Sequence, residues 1–296
     1  MPMNRLTGYL LVAAAALLWG CLGPMSKLLF ADGISPLEVS FWRSLFASVL
    51  YIAHIVFTRP TLPRTARDIT ALTLFGVIGI ALLFTLYQYT VHVSGVALAA
   101  VLLYTAPIFV AVFSRIFLGE RLSAFRIVAV GLSFAGITAI CLSGGSHETL
   151  AKDEWVSPLL GFIGGISCGL LYAGHFFFNN VYLKKFTAPV IYAWATLAAS
   201  ITLFPLVEFA PKTTENWLLL GIGGAVCTYV AYFLYCEGIR RISLTQAAVT
   251  STLEPVVATF AAVFFFAENF SFIGWLGIVA TLVAVLIMVV APRCNE

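Results

Sequence analysis

Long apolar runs, each followed by a short polar stretch, make up almost the whole chain. A helix needs about 20 predominantly apolar residues to cross the hydrocarbon core of a membrane. The residues within each run are continuously apolar and do not alternate with polar ones, as they would in the strands of a membrane barrel. The pattern therefore predicts an all-α polytopic membrane protein with ten transmembrane helices. The predicted helices lie at residues 9–31, 36–57, 69–91, 95–118, 123–143, 157–181, 188–209, 217–238, 243–266 and 271–291.

The same landmarks occur twice along the chain at a fixed spacing. Pro107 and Pro255 are 148 positions apart, and so are Glu120 and Glu268, which close the apolar runs that contain these prolines. A repeat of this kind predicts two structural units. Because each unit has five helices, the second starts on the opposite side of the membrane, which gives the two units inverted topology. We place the units at residues 1–146 (helices 1–5) and 153–296 (helices 6–10).

The composition limits what else the chain can contain. Charged residues make up 10% of the 296 residues and hydrophobic residues 61%, whereas about a quarter of a soluble domain is charged. The sequence has no Gly-rich phosphate loop, paired metal-ligand spacing or serine nucleophile motif, and its six cysteines lack zinc or redox spacing. We therefore expect a protein that is not an enzyme and that needs no cofactor or metal.

The basic residues are concentrated on one side of the predicted membrane. Of the 16 Lys and Arg residues, 12 fall on the side of the N-terminus, whereas only Lys152 and Lys212 fall clearly on the other side. Cytoplasmic loops are enriched in Lys and Arg, so both termini are predicted to be cytoplasmic. The net charge of +3 reflects this topology. Because the basic residues are scattered over short segments, they argue against nucleic-acid binding.

Several short motifs occur in a fixed order: Trp19-Gly20, Ile34-Ser35-Pro36, Trp42-Arg43, and two Pro-to-Glu stretches within residues 105–120 and 253–268. As a set they resemble the EamA family of the drug/metabolite transporter superfamily, and the resemblance covers nearly the entire chain. It implies a carrier in the bacterial inner membrane that exports amino acids and other small metabolites, driven by proton or substrate gradients. These motifs carry little information about which substrate is moved.

Glu254 is the candidate site residue with the clearest physical argument. It falls in the middle of the ninth apolar run, where a charge costs about 2.5 to 3.5 kcal/mol on insertion scales. It is therefore expected to face a cavity or to be protonated, and it is a candidate proton carrier. Gln246 and Thr250 precede it at intervals of four residues, so the three side chains would share one helical face. A structural role competes with this interpretation, because Glu254 could satisfy the Ser251 carbonyl that Pro255 leaves free.

A second polar stripe lies on the sixth predicted helix. Tyr172, His175, Phe176 and Asn179 follow helical spacing, and a stripe of this kind would be costly if it faced lipid. Imidazole titrates near neutral pH, so His175 is the second candidate for proton coupling. A histidine that is satisfied by a neighbouring side chain is the structural alternative.

Aromatic residues deep inside the apolar runs predict the wall of a cavity. Tyr and Trp residues at the ends of the runs are typical of interfacial anchors, whereas those at mid-membrane depth can line a binding site. A cavity with such walls would suit small amphipathic solutes. The predicted wall consists of Trp19, Tyr87, Tyr104, Tyr172 and Tyr232.

Other charged residues are assigned structural roles. Arg43 and Lys27 lie near the outer ends of helices 2 and 1 and are expected to anchor them by extending outward. Glu120 and Glu268 are expected to mark the N-termini of the helices that follow them. The prolines expected to bend transmembrane helices are Pro24, Pro107 and Pro255.

The inverted repeat predicts a secondary transporter that works by alternating access, and the resemblance to the EamA family implies that it exports small metabolites, above all amino acids. Its expected partners are a small-molecule substrate, the lipid bilayer and, as a coupling ion, the proton. A monomer is expected, because the repeat supplies its own pseudosymmetry.

Other functions remain open at this point. Efflux of organic cations is the first alternative, because a mid-membrane acid with aromatic surroundings also attracts cations. A membrane-embedded enzyme and a passive channel are more distant alternatives. Phosphorylated substrates are disfavoured, because the helices with polar stripes carry no basic residue at mid-membrane depth.

Overall fold

The computed structural model describes residues 2–120, 123–143, 158–266, 269 and 271–290. Ten helical stretches within this part of the chain are long and apolar enough to cross a membrane. The predicted all-α fold with ten membrane-spanning helices is therefore confirmed.

The helices are often shorter than the spans they build, because several spans contain a break or a change of helix type. The α-helices are α1 (Pro2–Gly20), α2 (Leu22–Ala31), α3 (Pro36–Thr58), α4 (Ala66–Leu74), α5 (Leu83–Leu103), α6 (Ala106–Phe117), α7 (Ala124–Ser143), α8 (Pro158–Tyr182), α9 (Ala188–Leu203), α10 (Thr214–Gly224), α11 (Ala231–Ile239), α12 (Leu244–Ser251), α13 (Leu253–Phe266) and α14 (Phe272–Val290). π-Helical backbone joins α4 to α5 at Phe75–Leu82 and α10 to α11 at Ala225–Val230.

Large apolar side chains cover the outside of the bundle. Phe57, Phe265 and Val290 are each at least 80% exposed, and many other apolar residues on the outer helix faces are exposed as well. An outer surface of this kind is suited to lipid and would be unfavourable in water. The chain is therefore a multi-pass integral membrane protein.

Successive spans run in opposite directions. If they alternate, certain helix ends must lie on the same side of the membrane, and the structure brings such ends into contact. Lys185, just after α8, pairs with Asp68 near the start of α4 at 3.1 Å. Arg5 in α1 donates to the Met288 carbonyl near the end of α14 at 3.3 Å. Which side faces the cytoplasm stays a prediction. We call this side the basic end and the other the opposite end; the residues that define the basic end are Arg5, Arg59, Arg64, Arg67, Arg115, Lys184, Lys185, Arg240 and Arg241.

Three spans are interrupted just before the prolines that were expected to bend them. In each case the preceding helix ends four residues before the proline, and these last residues are Gly20, Leu103 and Ser251. Proline has no N–H to give to the carbonyl four residues earlier, and its ring collides with that carbonyl. Where a bend was expected, each of the runs 9–31, 95–118 and 243–266 is therefore interrupted and consists of two helices or parts of helices.

The boundary predicted between the third and fourth helices is also different. The sequence suggested a break between residues 91 and 95, whereas α5 remains helical from Leu83 to Leu103. Thr90 lies against Gly164, and Leu102 lies against Gly165. A straight helix would separate Thr90 from Leu102 by about 18 Å along its axis. Helix α5 therefore bends between these two residues, without a proline and without leaving helical backbone.

The π-helical segments occur at related positions in the repeat. They end at Leu82 and Val230, which are 148 positions apart, the same offset that relates Pro107 to Pro255. The division into units at residues 1–146 and 153–296 stays a prediction, because residues 144–157 lie outside the described residues. Glu268, expected to mark a helix start, lies outside them too.

Candidate functional site

Glu254 lies at the start of α13, directly after the interruption at Thr252. Its side chain is half-buried. Its backbone carbonyl faces Gly20, so α1 and α13 approach each other closely at this depth. The carboxyl group lies within electrostatic range of four tyrosine hydroxyls, which come from different parts of the bundle: Tyr87, Tyr104, Tyr172 and Tyr232.

Tyr104 is the tyrosine most closely associated with Glu254. Its hydroxyl is buried and has no hydrogen bond of good geometry, but it approaches the Glu254 carboxyl. Tyr104 is the residue immediately after α5, where the helix stops four residues before Pro107. The two proline-associated interruptions therefore bring together an acid from one span and a phenol from another.

Trp19 closes one side of this group. Its ring centre lies 5.1 Å from that of Tyr232 and 5.5 Å from that of Tyr235. The Trp19 side chain is buried, and its indole N–H has no acceptor among the described residues. The five aromatic residues predicted as a cavity wall therefore lie in the same part of the bundle as Glu254, and their role in binding stays a prediction.

Arg43 also points into this group, which the sequence analysis did not predict. Its Nε donates to Thr228 Oγ1 at 3.2 Å, and its guanidinium carbon lies 4.9 Å from the centre of the Phe84 ring. Its charge interacts with Glu254 and Tyr232. The expectation that Arg43 anchors its helix by extending outward was wrong, because an inward direction gives the cation polar and aromatic neighbours that lipid cannot provide. Its position seven residues inside α3 was the signal that could have revealed it.

His175 and Asn179 are brought together with Tyr192 in α9. His175 Nε2 and the Tyr192 hydroxyl are hydrogen bonded at 2.7 Å. The Asn179 amide donates to the Tyr192 hydroxyl at 3.1 Å and to the His175 carbonyl at 2.9 Å. Both side chains are buried, and His175 stacks on Tyr232, so this polar group touches the Glu254 region through one aromatic ring. The contacts match the structural alternative for His175, and its role in proton coupling stays a prediction.

Gln246 and Thr250 do not continue the polar face of Glu254. Gln246 forms a capping box at the start of α12, where its side-chain oxygen accepts from the Ser243 N–H at 3.1 Å. The Thr250 hydroxyl donates to the Gln246 carbonyl at 2.8 Å. Because the helix stops between Thr250 and Glu254, the single helical face predicted for these residues is interrupted.

Residues 6–142 and 159–290 match the EamA-like transporter family. The chain belongs to this family. The resemblance inferred from short motifs is thereby confirmed, and the chain is a transporter of the EamA type.

Similar EamA-type proteins occur in archaea and bacteria. An uncharacterized transporter of Archaeoglobus fulgidus is 27% identical over 267 residues, which are 90% of this chain and 91% of the relative. The uncharacterized transporter YwfM of Bacillus subtilis is 24% identical over 292 residues, 96% of this chain and 94% of the relative. A probable terminal-alkyne amino-acid exporter of Streptantibioticus cattleyicolor is 25% identical over 240 residues, 78% of this chain and 76% of the relative.

A crystal structure of a protein with 17% sequence identity has the same fold. It superposes with a TM-score of 0.78 and covers 97% of both chains. This likeness supports the fold of the EamA-family chain over nearly its whole length.

Proposed function

We propose that the protein exports amino acids across the bacterial inner membrane by alternating access. The observation that carries this proposal is the position of Glu254, an acid in the ninth span whose carboxyl lies within electrostatic range of four tyrosine hydroxyls, in a bundle of the EamA family. Polar groups that converge within an aromatic wall suit a small solute with both polar and apolar parts. The name of the Streptantibioticus relative, a probable exporter of an amino acid, agrees with this substrate class.

Polar contacts at both ends of the bundle support alternating access. At the basic end, the Thr245 hydroxyl donates to Glu120 at 3.2 Å. At the opposite end, the Ala210 N–H donates to Glu38 at 3.1 Å. Each contact joins the two predicted five-helix units. A carrier of this type would have to break the contacts at one end while keeping those at the other.

Glu254 is the first candidate for proton coupling. The groups within electrostatic range of its carboxyl are the four tyrosine hydroxyls and the cation of Arg43. If protons drive export through this carboxyl, Glu254→Gln will remove the dependence of transport on a pH gradient. Retention of full transport and full pH dependence would exclude Glu254 as the carrier and leave His175 as the next candidate.

The direct test is transport by the purified protein in liposomes. The twenty proteinogenic L-amino acids, each radiolabelled, are offered one at a time, with and without an imposed pH gradient. We expect saturable uptake of some amino acids and counterflow when the same amino acid is present inside. Linear uptake without counterflow would indicate a passive channel and contradict the proposal.

Efflux of organic cations is the second candidate function. It is favoured by the same acid, because a carboxylate surrounded by aromatic rings attracts cations. Extrusion of a cationic dye from the same liposomes, together with no transport of any amino acid, would replace the first proposal by this one.

The remaining predictions about the whole protein are retained as part of the proposal. Both termini are cytoplasmic, and the protein works as a monomer. The protein catalyses no chemical conversion, so the solute recovered from the liposomes is expected to be chemically identical to the solute supplied.

A further inference from the structure

Arg43 is held in position by groups that leave most of its donors available. Thr228 accepts from Nε, and the Phe84 ring lies beside the guanidinium. The two terminal nitrogens have no hydrogen-bond or ion-pair partner in the part of the chain that the structure describes. The side chain is half-buried within a membrane span. Its planar fork of donors is therefore oriented but not neutralised by the protein.

Glu254, like Arg43, is a charged residue that no described residue neutralises through an ion pair. Its polar surroundings are phenol hydroxyls, of which Tyr104 is the closest associate. A direct pair with Arg43 would require a nitrogen-to-oxygen distance within about 4 Å, and the structure has no such pair.

Two routes through the structure link these two charges. Thr228, which holds Arg43, is one helical turn before Tyr232, and Tyr232 interacts with the charges of both Arg43 and Glu254. On the other side, Phe84 lies one turn before Tyr87, which also interacts with Glu254. One helical turn rises about 5.4 Å.

We propose that Arg43 binds the carboxylate and Glu254 the ammonium group of one zwitterionic amino acid. This inference rests on the proposed export of amino acids and makes Arg43 a specificity-determining residue. The guanidinium fork matches a carboxylate geometrically and can donate two parallel hydrogen bonds to it. The four tyrosine hydroxyls would surround the ammonium group beside Glu254.

The arrangement of charges favours a zwitterion over other ligands. Charged groups inside a membrane are costly unless they are paired. A simple cation would neutralise Glu254 and leave Arg43 unpaired, whereas a simple anion would do the reverse. A ligand that carries both signs on neighbouring atoms neutralises both residues in one binding event.

The test compares an amino acid with derivatives that lack one of its charges. The amino acid transported best in the liposome panel is used together with its carboxamide, which has no carboxylate, and its N-acetyl derivative, which has no ammonium group. We expect both derivatives to inhibit uptake of the labelled amino acid at least about tenfold more weakly than the amino acid itself, since each lacks a charge-assisted hydrogen bond.

Variants then assign each charge to its partner. Arg43→Gln should lower the apparent affinity for the amino acid to that for the carboxamide, while discrimination against the N-acetyl derivative remains. Glu254→Gln should give the reverse pattern. Arg43→Lys keeps the charge without the planar fork and should retain part of the discrimination against the carboxamide. It replaces Arg43→Gln in the test if that variant does not fold. Arg115→Gln and Glu215→Gln, at exposed positions, are matched controls and should behave as wild type.

The possible failures are distinguishable. Transport of an amino acid that both derivatives inhibit equally well would overturn the zwitterion assignment and leave the proposed export intact. The zwitterion assignment would also be overturned, with export intact, if Arg43→Gln still preferred the amino acid over its carboxamide as strongly as the wild type does. Absence of transport for all twenty amino acids would instead overturn the proposed function and, with it, this inference.

Discussion

Glu38 is an acid that the protein buries completely near the opposite end of the bundle. It accepts hydrogen bonds from the Trp42 indole at 3.2 Å and from the Ala210 N–H at 3.1 Å, and it forms an ion pair with Lys212. The Lys212 ammonium lies over the rings of Trp42 and Trp217. This cluster ties α3 to the segment between α9 and α10.

We expect Glu38→Gln to destabilise the protein by about 3 to 5 kcal/mol, because it leaves the buried Lys212 charge without its partner. The loss should appear as a lower midpoint of thermal unfolding in detergent. Asp68→Asn is the matched control, since its partner Lys185 is 53% exposed and water can replace the lost contact. An equally small effect of both substitutions would show that Lys212 is solvated and would contradict the buried pair.

Residue by residue, the sequence indicated candidate site residues where the surrounding composition made a residue unusual. Glu254 could be identified as a candidate because a charged residue in the middle of an apolar run is energetically costly. Arg43 was missed because its position near the end of a run also fits a long side chain that reaches outward, and periodicity does not give the direction of a side chain. Gln246 and Thr250 were grouped with Glu254 because the spacing argument assumes an unbroken helix.

At the scale of elements, three prolines do more than bend helices. Each one ends the preceding helix four residues earlier, so the side chains after the interruption leave the helical spacing of those before it. Tyr104 and Glu254 both follow such an interruption, and their side chains approach each other. The sequence showed which prolines matter, but the exact end of each helix depends on the carbonyl that the proline cannot bond.

Pro255→Ala should restore a hydrogen bond to the Ser251 carbonyl and join α12 to α13. Because proline costs about 3 kcal/mol in a helix interior, we expect thermal stability that is equal to or higher than that of the wild type. Transport should fall several-fold, because Glu254 is turned away from the tyrosines. Pro211→Ala, in the exposed segment before α10, is the control. Normal transport by Pro255→Ala would show that the interruption is not required.

Helices α7 and α14 approach each other through glycines. A Cβ atom added at Gly277 would lie 2.5 Å from the Gly136 carbonyl oxygen. We expect Gly277→Ala to force the helices apart and to cost about 1 to 3 kcal/mol of unfolding free energy. Gly131→Ala in α7, where the added atom has nothing within 4 Å, should be neutral or stabilising, since alanine favours the helix. Thermal unfolding of the two variants compares them directly, and equal midpoints would contradict the close approach.

At the scale of the whole molecule, the number of spans and their alternation follow from the lengths of the apolar runs. The path of α5 does not, because a bend without proline depends on packing against α8, which single-sequence periodicity does not encode. Orientation rests on the basic residues, most of which lie at the basic end in the part of the chain that the structure describes.

Cysteine labelling can determine which end faces the cytoplasm. In a background in which the native cysteines are replaced by serine, Leu62→Cys lies at the basic end and Asp32→Cys at the opposite end, and both positions are exposed. We expect a membrane-impermeant maleimide to label Asp32→Cys in intact cells and Leu62→Cys only after permeabilisation. The reverse pattern would show that the predicted orientation is wrong.

The electrostatic interaction between Arg43 and Glu254 has an electrical consequence. Moving one elementary charge across a membrane potential of 100 mV involves about 2.3 kcal/mol. With the arginine protonated and the glutamate ionised, the proposed site has no net charge before the substrate binds, and a zwitterion adds none. We therefore expect exchange of one neutral amino acid for another in liposomes to proceed at the same rate with and without a potassium diffusion potential, whereas Arg43→Gln would make that exchange sensitive to voltage.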